Sequence, residues 1–258
     1  MVETRSAGID VAMVPGATRI EAGGVLIVVD QIRASTTMTV ALDLGCSELV
    51  LAGDVETARR LARGTGRLLA GEQHAVKPPD FDFDNSPSEL SRAAIRGRGL
   101  VLCTTNGTAV VSQLRAAEHL LIGCLRNASA VAAAALQLAT ETTGDGHIAV
   151  VCAGLNGEFV LDDAAAAGVI VDRVVHAAQA HGVRPTLTDA AQAAVRIRHS
   201  FSSLVDAMTN SNGGATLRRI GATDDIAFCA ELDASDTVPA LVHGPELRII
   251  ALPGVTLA

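Results

Sequence analysis

The chain has 258 residues, 49% of them hydrophobic and 19% charged, with a formal net charge of −8. This length and composition describe a packed globular protein with one large core or two intimate halves. The acidic balance argues against nucleic acid and anionic membranes as partners. With five Phe, no Trp and no Tyr, the aromatic platforms that grip single-stranded bases are nearly absent.

Residues 1–23 lack a long regular pattern, with Gly8–Val14 suited to a short edge strand. Val25–Val29 is a continuous aliphatic run, the mark of a strand buried on both faces, and it ends at Asp30. A small-residue helix follows up to Leu44, stopped by Gly45. Glu48–Ala52 reads as a strand, Asp54 as the N-cap of a helix to Arg63, and Arg67–Ala70 as a strand ending in Gly71-Glu72. A polar loop, 74–87, closes on a helix start: Ser86 as N-cap, Pro87 at the first position and Glu89 completing a capping box. That helix is expected to run to about Arg98. Leu100–Cys103 and His119–Ile122 are strands, the first followed by a helix from Thr108 to Ala117. Asn127 is placed as the cap of an alanine-rich helix to Ala139. Ile148–Cys152 is another buried strand, and Asp162-Asp163 introduce a long helix to Ala180. Beyond Pro185 the pattern is helical over Ala190–Val205, near Leu217 and over Asp224–Leu232, with a last strand at Leu247–Leu252. The alternation over residues 25–180 defines an α/β fold, a layered and largely parallel sheet with helices on both faces.

In such sheets ligands bind outside the carboxyl ends of the strands. Those ends carry Asp30 and Arg33, Glu72, the stretch Thr104-Thr105-Asn106-Gly107-Thr108, Asn127, and Gly154 to Asp162. Asp30 suits a metal ligand or nucleophile and equally a helix cap. Arg33 suits a bidentate phosphate clamp or an ion pair. Thr104–Thr108 has the hydroxyls and helix-start N–H groups of an oxyanion or phosphate cradle, or simply of a turn. The acids Asp80, Asp82 and Asp84 alternate around Phe81 and Phe83, as a hard-cation site or as a docked charged loop. Asp162-Asp163 complement a helix N-terminus, with a metal role open to one of them. Zinc spacings, Walker A, G-x-S-x-G and dinucleotide fingerprints are all missing. An anionic substrate here needs a local cation, either a metal or focused basic side chains. Lys77 is the only lysine. Five scattered cysteines without a C-x-x-C pair read as small buried hydrophobes. With no apolar leader and no bilayer-length run, a cytoplasmic protein is expected.

These ordered segments resemble the 2-phosphosulfolactate phosphatase (ComB-like) family. They are Val29–Thr37, Gly71-Glu72 with Lys77-Pro, Phe81–Pro87, Thr104–Thr108, Asn127-Ala-Ser, Val151–Gly154, Asp162-Asp163, and Phe228-Cys229 through Pro239. The resemblance implies a single ComB-like α/β domain over 1–258, built from two similar halves with a boundary near 125–185. That division would explain the echo between 101–107 and 150–157, two apolar strands that each lead through Cys to Asn-Gly. It implies a Mg²⁺-dependent phosphoric monoester hydrolase taking 2-phospho-3-sulfolactate to 3-sulfolactate and phosphate, a step towards coenzyme M. Carried onto this sequence, Asp30, Arg33 and Glu72 are the catalytic candidates. Asp30, Glu72, Asp82 and Asp162 are the metal candidates, and Lys77, Thr104 to Thr108 and Asn127 the substrate-binding ones. The partner is then a small phosphorylated, sulfonated carboxylate, and a homo-oligomer remains open. Gln73 departs from the family, where Arg typically follows Gly-Glu. That departure raises two alternatives: a non-catalytic binder of such a metabolite, or a phosphatase for another small ester. Arg126 and Lys77 are the residues expected to compensate.

Overall fold

The computed structural model describes residues 5–18, 23–142 and 145–253, so the expectation for 1–23 falls partly outside it. In chain order the elements are β1 (Ser6–Ala12), β2 (Val25–Val29), α1 (Ala34–Asp43), β3 (Glu48–Ala52), α2 (Val55–Ala62), β4 (Leu68–Gly71) and α3 (Pro87–Leu90). Next come β5 (Gly99–Cys103), α4 (Gly107–Gln113), β6 (His119–Ile122), α5 (Ala128–Thr142), β7 (Asp145–Cys152) and α6 (Leu161–Ala180). The chain closes with β8 (Arg184–Leu187), α7 (Asp189–His199), α8 (Leu204–Thr209), α9 (Asn212–Ile220), α10 (Asp224–Cys229), β9 (Pro239–Val242) and β10 (Arg248–Ala251).

One ten-stranded sheet runs β4-β5-β3-β10-β9-β6-β2-β7-β1-β8. β3, β4 and β5 are mutually parallel, as are β1, β2, β6, β7 and β8. The pair β9-β10 is antiparallel to its neighbours and joins the two blocks, which therefore run in opposite senses. Twist of roughly 20–25° per strand accumulates to about 100–125° over the five steps from β2 to β5. The carboxyl ends of β2 and β5 meet: a Cβ on Gly107 would lie 2.7 Å from Asp30 Oδ2.

Strand alternation explains the unbroken apolar runs. On β2, Val25, Ile27 and Val29 join a core under α5, α6 and α7, whereas Leu26 and Val28 face a second core around α1 and α4. That second core also takes Leu100 and Leu102 of β5, so both blocks pack on the same two helices. Val101 and Cys103 turn outward to α2 and to buried Phe81.

Several expectations need correction. β1 is interior, between β7 and β8, rather than an edge. α3 does have Ser86 as its cap, accepting from Glu89 N at 3.3 Å, but it stops at Leu90. Burial of Ile95, and the bond from Gly97 N to Gly45 O, pull residues 91–98 onto the turn after α1. Asn127 Oδ1 accepts backwards from Cys124 N. The first turn of α5 is served instead by Asp233, which accepts from Ser129 N at 2.7 Å. The stretch 190–205 is two helices, and β8 and β9 are strands the sequence reading lacked.

Candidate active site

A cavity of about 300 Å³ opens where the ends of β2, β4, β5 and β7 meet α9. Asp30, Arg33, Glu72, Thr104, Thr105 and Asn106 line it, with Asp162 and Asp163 from the first turn of α6. Asp30 takes the helix-capping role of its two sequence readings and also lines the cavity. Its Oδ1 accepts from Ala34 N (3.2 Å) at the start of α1, and its other oxygen lies against Gly107. Burial, and then the nearby charges of Asp162 and Glu72, raise its pKa from 3.8 to about 6.

Asp162 is also buried, and desolvation raises its pKa to about 6. Its Oδ1 has no hydrogen-bond partner in the protein. α9 closes on it so tightly that a Cβ on Gly213 would sit 2.8 Å from Oδ2. Asp163, by contrast, is fully engaged: it accepts from Gln31 N and Gly154 N, both at 2.8 Å, tying the ends of β2 and β7 together. Burial, and after it the Asp162 and Asp30 charges, push its pKa well up.

The Thr104–Thr108 turn is wired differently from an empty phosphate cradle. Thr105 gives both its N–H (2.8 Å) and its hydroxyl (2.9 Å) to Glu72 Oε1, while Ala75 N donates to Oε2 at 2.6 Å. Thr108 bonds back to Thr104 O at 2.7 Å and does not line the cavity. The two Thr105 donors expected to hold an anion thus hold a carboxylate. Asn106 Oδ1 accepts from Asn156 N at 3.1 Å, so the two echoing segments after β5 and β7 meet at the cavity wall.

Arg33 lines the cavity with its charge already balanced. It donates to Asp225 Oδ2 at 2.9 Å and reaches Asp84 at 3.5 Å, with guanidinium and Asp225 both buried. The other oxygen of Asp225 accepts from Ser86 Oγ (2.9 Å), Ser88 N (3.1 Å) and Ser88 Oγ (2.6 Å).

Three further expected residues stand elsewhere. Lys77 lies in a neighbouring open groove with Gln73 and donates to Phe81 O at 3.1 Å, because the Phe81–Phe83 loop docks alongside β4. Asp82 is exposed and accepts from Leu69 N at 2.8 Å, a strand-edge bond. Asn127 is fully buried, bonding Cys124 N, Ile122 O and Thr237 O. Neither compensating cation is at hand, since Arg126 pairs with Glu231 and lies 4.1 Å over the Phe228 ring.

Sequence reasoning missed Asp225, Asn85, Arg219 and the α9 face. Asn85 lines the cavity with its side-chain oxygen unpartnered, and the Asn85-Ser86-Pro87 motif was its only signal. On α9 the signal was spacing: Gly213, Thr216, Leu217 and Ile220 fall at i, i+3, i+4 and i+7, one helical face, and all line the cavity.

An acidic pocket at converging strand ends, with one buried carboxylate oxygen unpartnered, is the candidate active site. Residues 13–244 match the 2-phosphosulpholactate phosphatase family, and the chain belongs to it. It is thus a phosphatase. A protein of Deinococcus radiodurans named "Probable 2-phosphosulfolactate phosphatase" is 37% identical over 230 residues, 88% of this chain and 92% of its own length. Proteins of the same name from Thermus thermophilus and Thermotoga petrophila are 36% and 35% identical. They align with 84% of this chain and with 87% and 89% of their own lengths. No helix among the described residues is long and apolar enough to cross a membrane.

Proposed function

We propose that this cavity hydrolyses 2-phospho-3-sulfolactate to 3-sulfolactate and phosphate, with Mg²⁺ as the cation that lets an acidic site accept a polyanion. The observation that carries the reading is that Asp30 and Asp162 line one pocket, near enough for each charge to be felt by the other, together with Asp163 and Glu72. A phosphate ester carrying carboxylate and sulfonate cannot enter such a pocket without added positive charge.

The donor set fits Mg²⁺: hard carboxylate oxygens, one of them on Asp162 buried without a hydrogen-bond partner. Among the described residues no group of three or more acidic, histidine or cysteine side chains is placed to hold a metal ion. Mg²⁺ does not require one, since one or two carboxylates with substrate phosphate and waters commonly hold it. Asp30 and Asp162 are the residues that would hold it, with Glu72 adjoining. Its chemistry when bound is charge neutralisation at the phosphoryl oxygens and acidification of a water.

The chain's own residues do the rest by position. Thr105 and Ala75 orient Glu72, and Asp163 fixes the Asp30–Gln31 backbone against Gly154. Asn85 and Thr104 offer polar contacts to the ester. Gln73, the departure behind the binding-only alternative, does not line the cavity. A cytoplasmic setting belongs to the same reading, supported by five buried free thiols.

Inorganic phosphate release tests the proposal. Turnover should be faster on 2-phospho-3-sulfolactate than on phospholactate or phosphoglycolate. Faster turnover of either of those would keep the chemistry and discard the substrate, and binding without release from any ester would overturn the enzyme reading.

A further inference from the structure

Two arginines line the cavity, and they differ in charge balance. Arg33 is buried and paired with Asp225 and Asp84. Arg219 is exposed at the mouth, and among the described residues its side chain has no ion pair or hydrogen bond. It lies at the far end of α9 from Gly213, which abuts Asp162. Six residues at 1.5 Å each separate the two positions by about 9 Å along the axis. Helical side chains lean back toward the N-terminus, the direction that from position 219 runs past Thr216 toward Gly213 and so narrows that gap. Leu155 and Ile220, both exposed, also line the cavity.

We infer that Arg219 is a specificity-determining residue that binds a second anionic group of the substrate, a carboxylate or sulfonate on the carbon skeleton, while the ester phosphate sits at the Asp30–Asp162 end. This assignment rests on the phosphatase reading and refines it. It supplies the cation that Gln73, Lys77 and Arg126 do not bring to the cavity. An unpaired guanidinium is suited to the role because its charge is not already spent on a protein carboxylate.

The experiment compares wild type, Arg219→Ala and Arg219→Lys on four esters in the presence of Mg²⁺. These are 2-phospho-3-sulfolactate, phospholactate (carboxylate only), 2-phosphooxyethanesulfonate (sulfonate only) and ethyl phosphate (neither). Binding of 3-sulfolactate and of inorganic phosphate is measured alongside by calorimetry. Arg219→Ala should lower kcat/KM on 2-phospho-3-sulfolactate relative to ethyl phosphate by ~10–100-fold, the loss expected for one charge-assisted contact, mainly through KM. Lys should recover part of it. Whichever single-anion ester loses selectivity identifies the group that Arg219 holds. An unchanged ratio, or an equal loss on ethyl phosphate, overturns the assignment. If wild type releases no phosphate from any ester, the phosphatase reading fails by itself. Calorimetry then still decides Arg219: weaker 3-sulfolactate binding in the Ala variant with phosphate binding retained supports it, and unchanged 3-sulfolactate binding overturns it.

Discussion

Asp225 illustrates how a residue outside the sequence motifs can control one inside them. It neutralises Arg33 in a setting where both side chains are almost fully buried, and it accepts three more hydrogen bonds from Ser86 and Ser88. Removing one partner of a buried pair strands the other charge, which costs about 3–5 kcal/mol. Asp225→Ala should therefore lower the urea unfolding free energy by roughly that amount and loosen the 84–88 loop. A loss under about 1 kcal/mol would mean that Arg33 is held by other groups. At this scale the sequence was only half legible. Asp30, Glu72 and Asp162 could be placed because each directly follows a buried strand or opens a helix. Asp225 could not, since its Arg33 and Ser86 partners are far away in the chain and pairing over that separation leaves no local pattern. Lys77 and Asn127 misled for the opposite reason: their residue types suit ligand binding, and their actual bonds are to backbone.

The elements that shape the cavity divide in the same way. Strands buried on both faces announce themselves by continuous aliphatic runs, and β2, β3 and β6 span the residues expected of them. β9 is four residues long and begins at a proline, so it carries too little pattern to compete with its surroundings. α9 was legible as a helix near Leu217 but not as a wall of the site, because only tertiary packing brings Gly213 against Asp162. That close approach makes a sharp prediction. Gly213→Ala places a better helix former in the first turn of α9, yet its Cβ would meet Asp162 Oδ2 at 2.8 Å and Ile32 Cβ at 3.1 Å. Turnover should fall ~10-fold or more while thermal stability changes little, because the displaced group is a carboxylate at the site rather than core packing. Undiminished turnover would show that the position of Asp162 is not critical.

Across the whole molecule, a net charge of −8 and an acidic cavity make stability sensitive to pH and to bound cations. Asp30 and Asp162 have folded-state pKa values of about 6 against an ordinary 3.8, because burial penalises their ionised forms. A carboxyl whose pKa rises on folding stabilises the folded state below its unfolded value. That contribution is lost as pH climbs from about 4 to about 6. In chelator, these two groups should lower Tm across that window. Mg²⁺ should restore Tm at pH 7.5 and do little at pH 4.5, where protons already occupy the site, and in Asp162→Asn the Mg²⁺ effect should shrink. Equal Mg²⁺ stabilisation at both pH values would contradict the assignment of these carboxylates.

The most direct test of the account follows phosphate release from 2-phospho-3-sulfolactate as Mg²⁺ is titrated into chelator-treated protein, for wild type and Asp30→Asn. The account predicts release that rises from near zero to saturation with Mg²⁺ in wild type and falls by at least ~100-fold in Asp30→Asn. Full release in chelator, or full Mg²⁺-dependent release by Asp30→Asn, would contradict it.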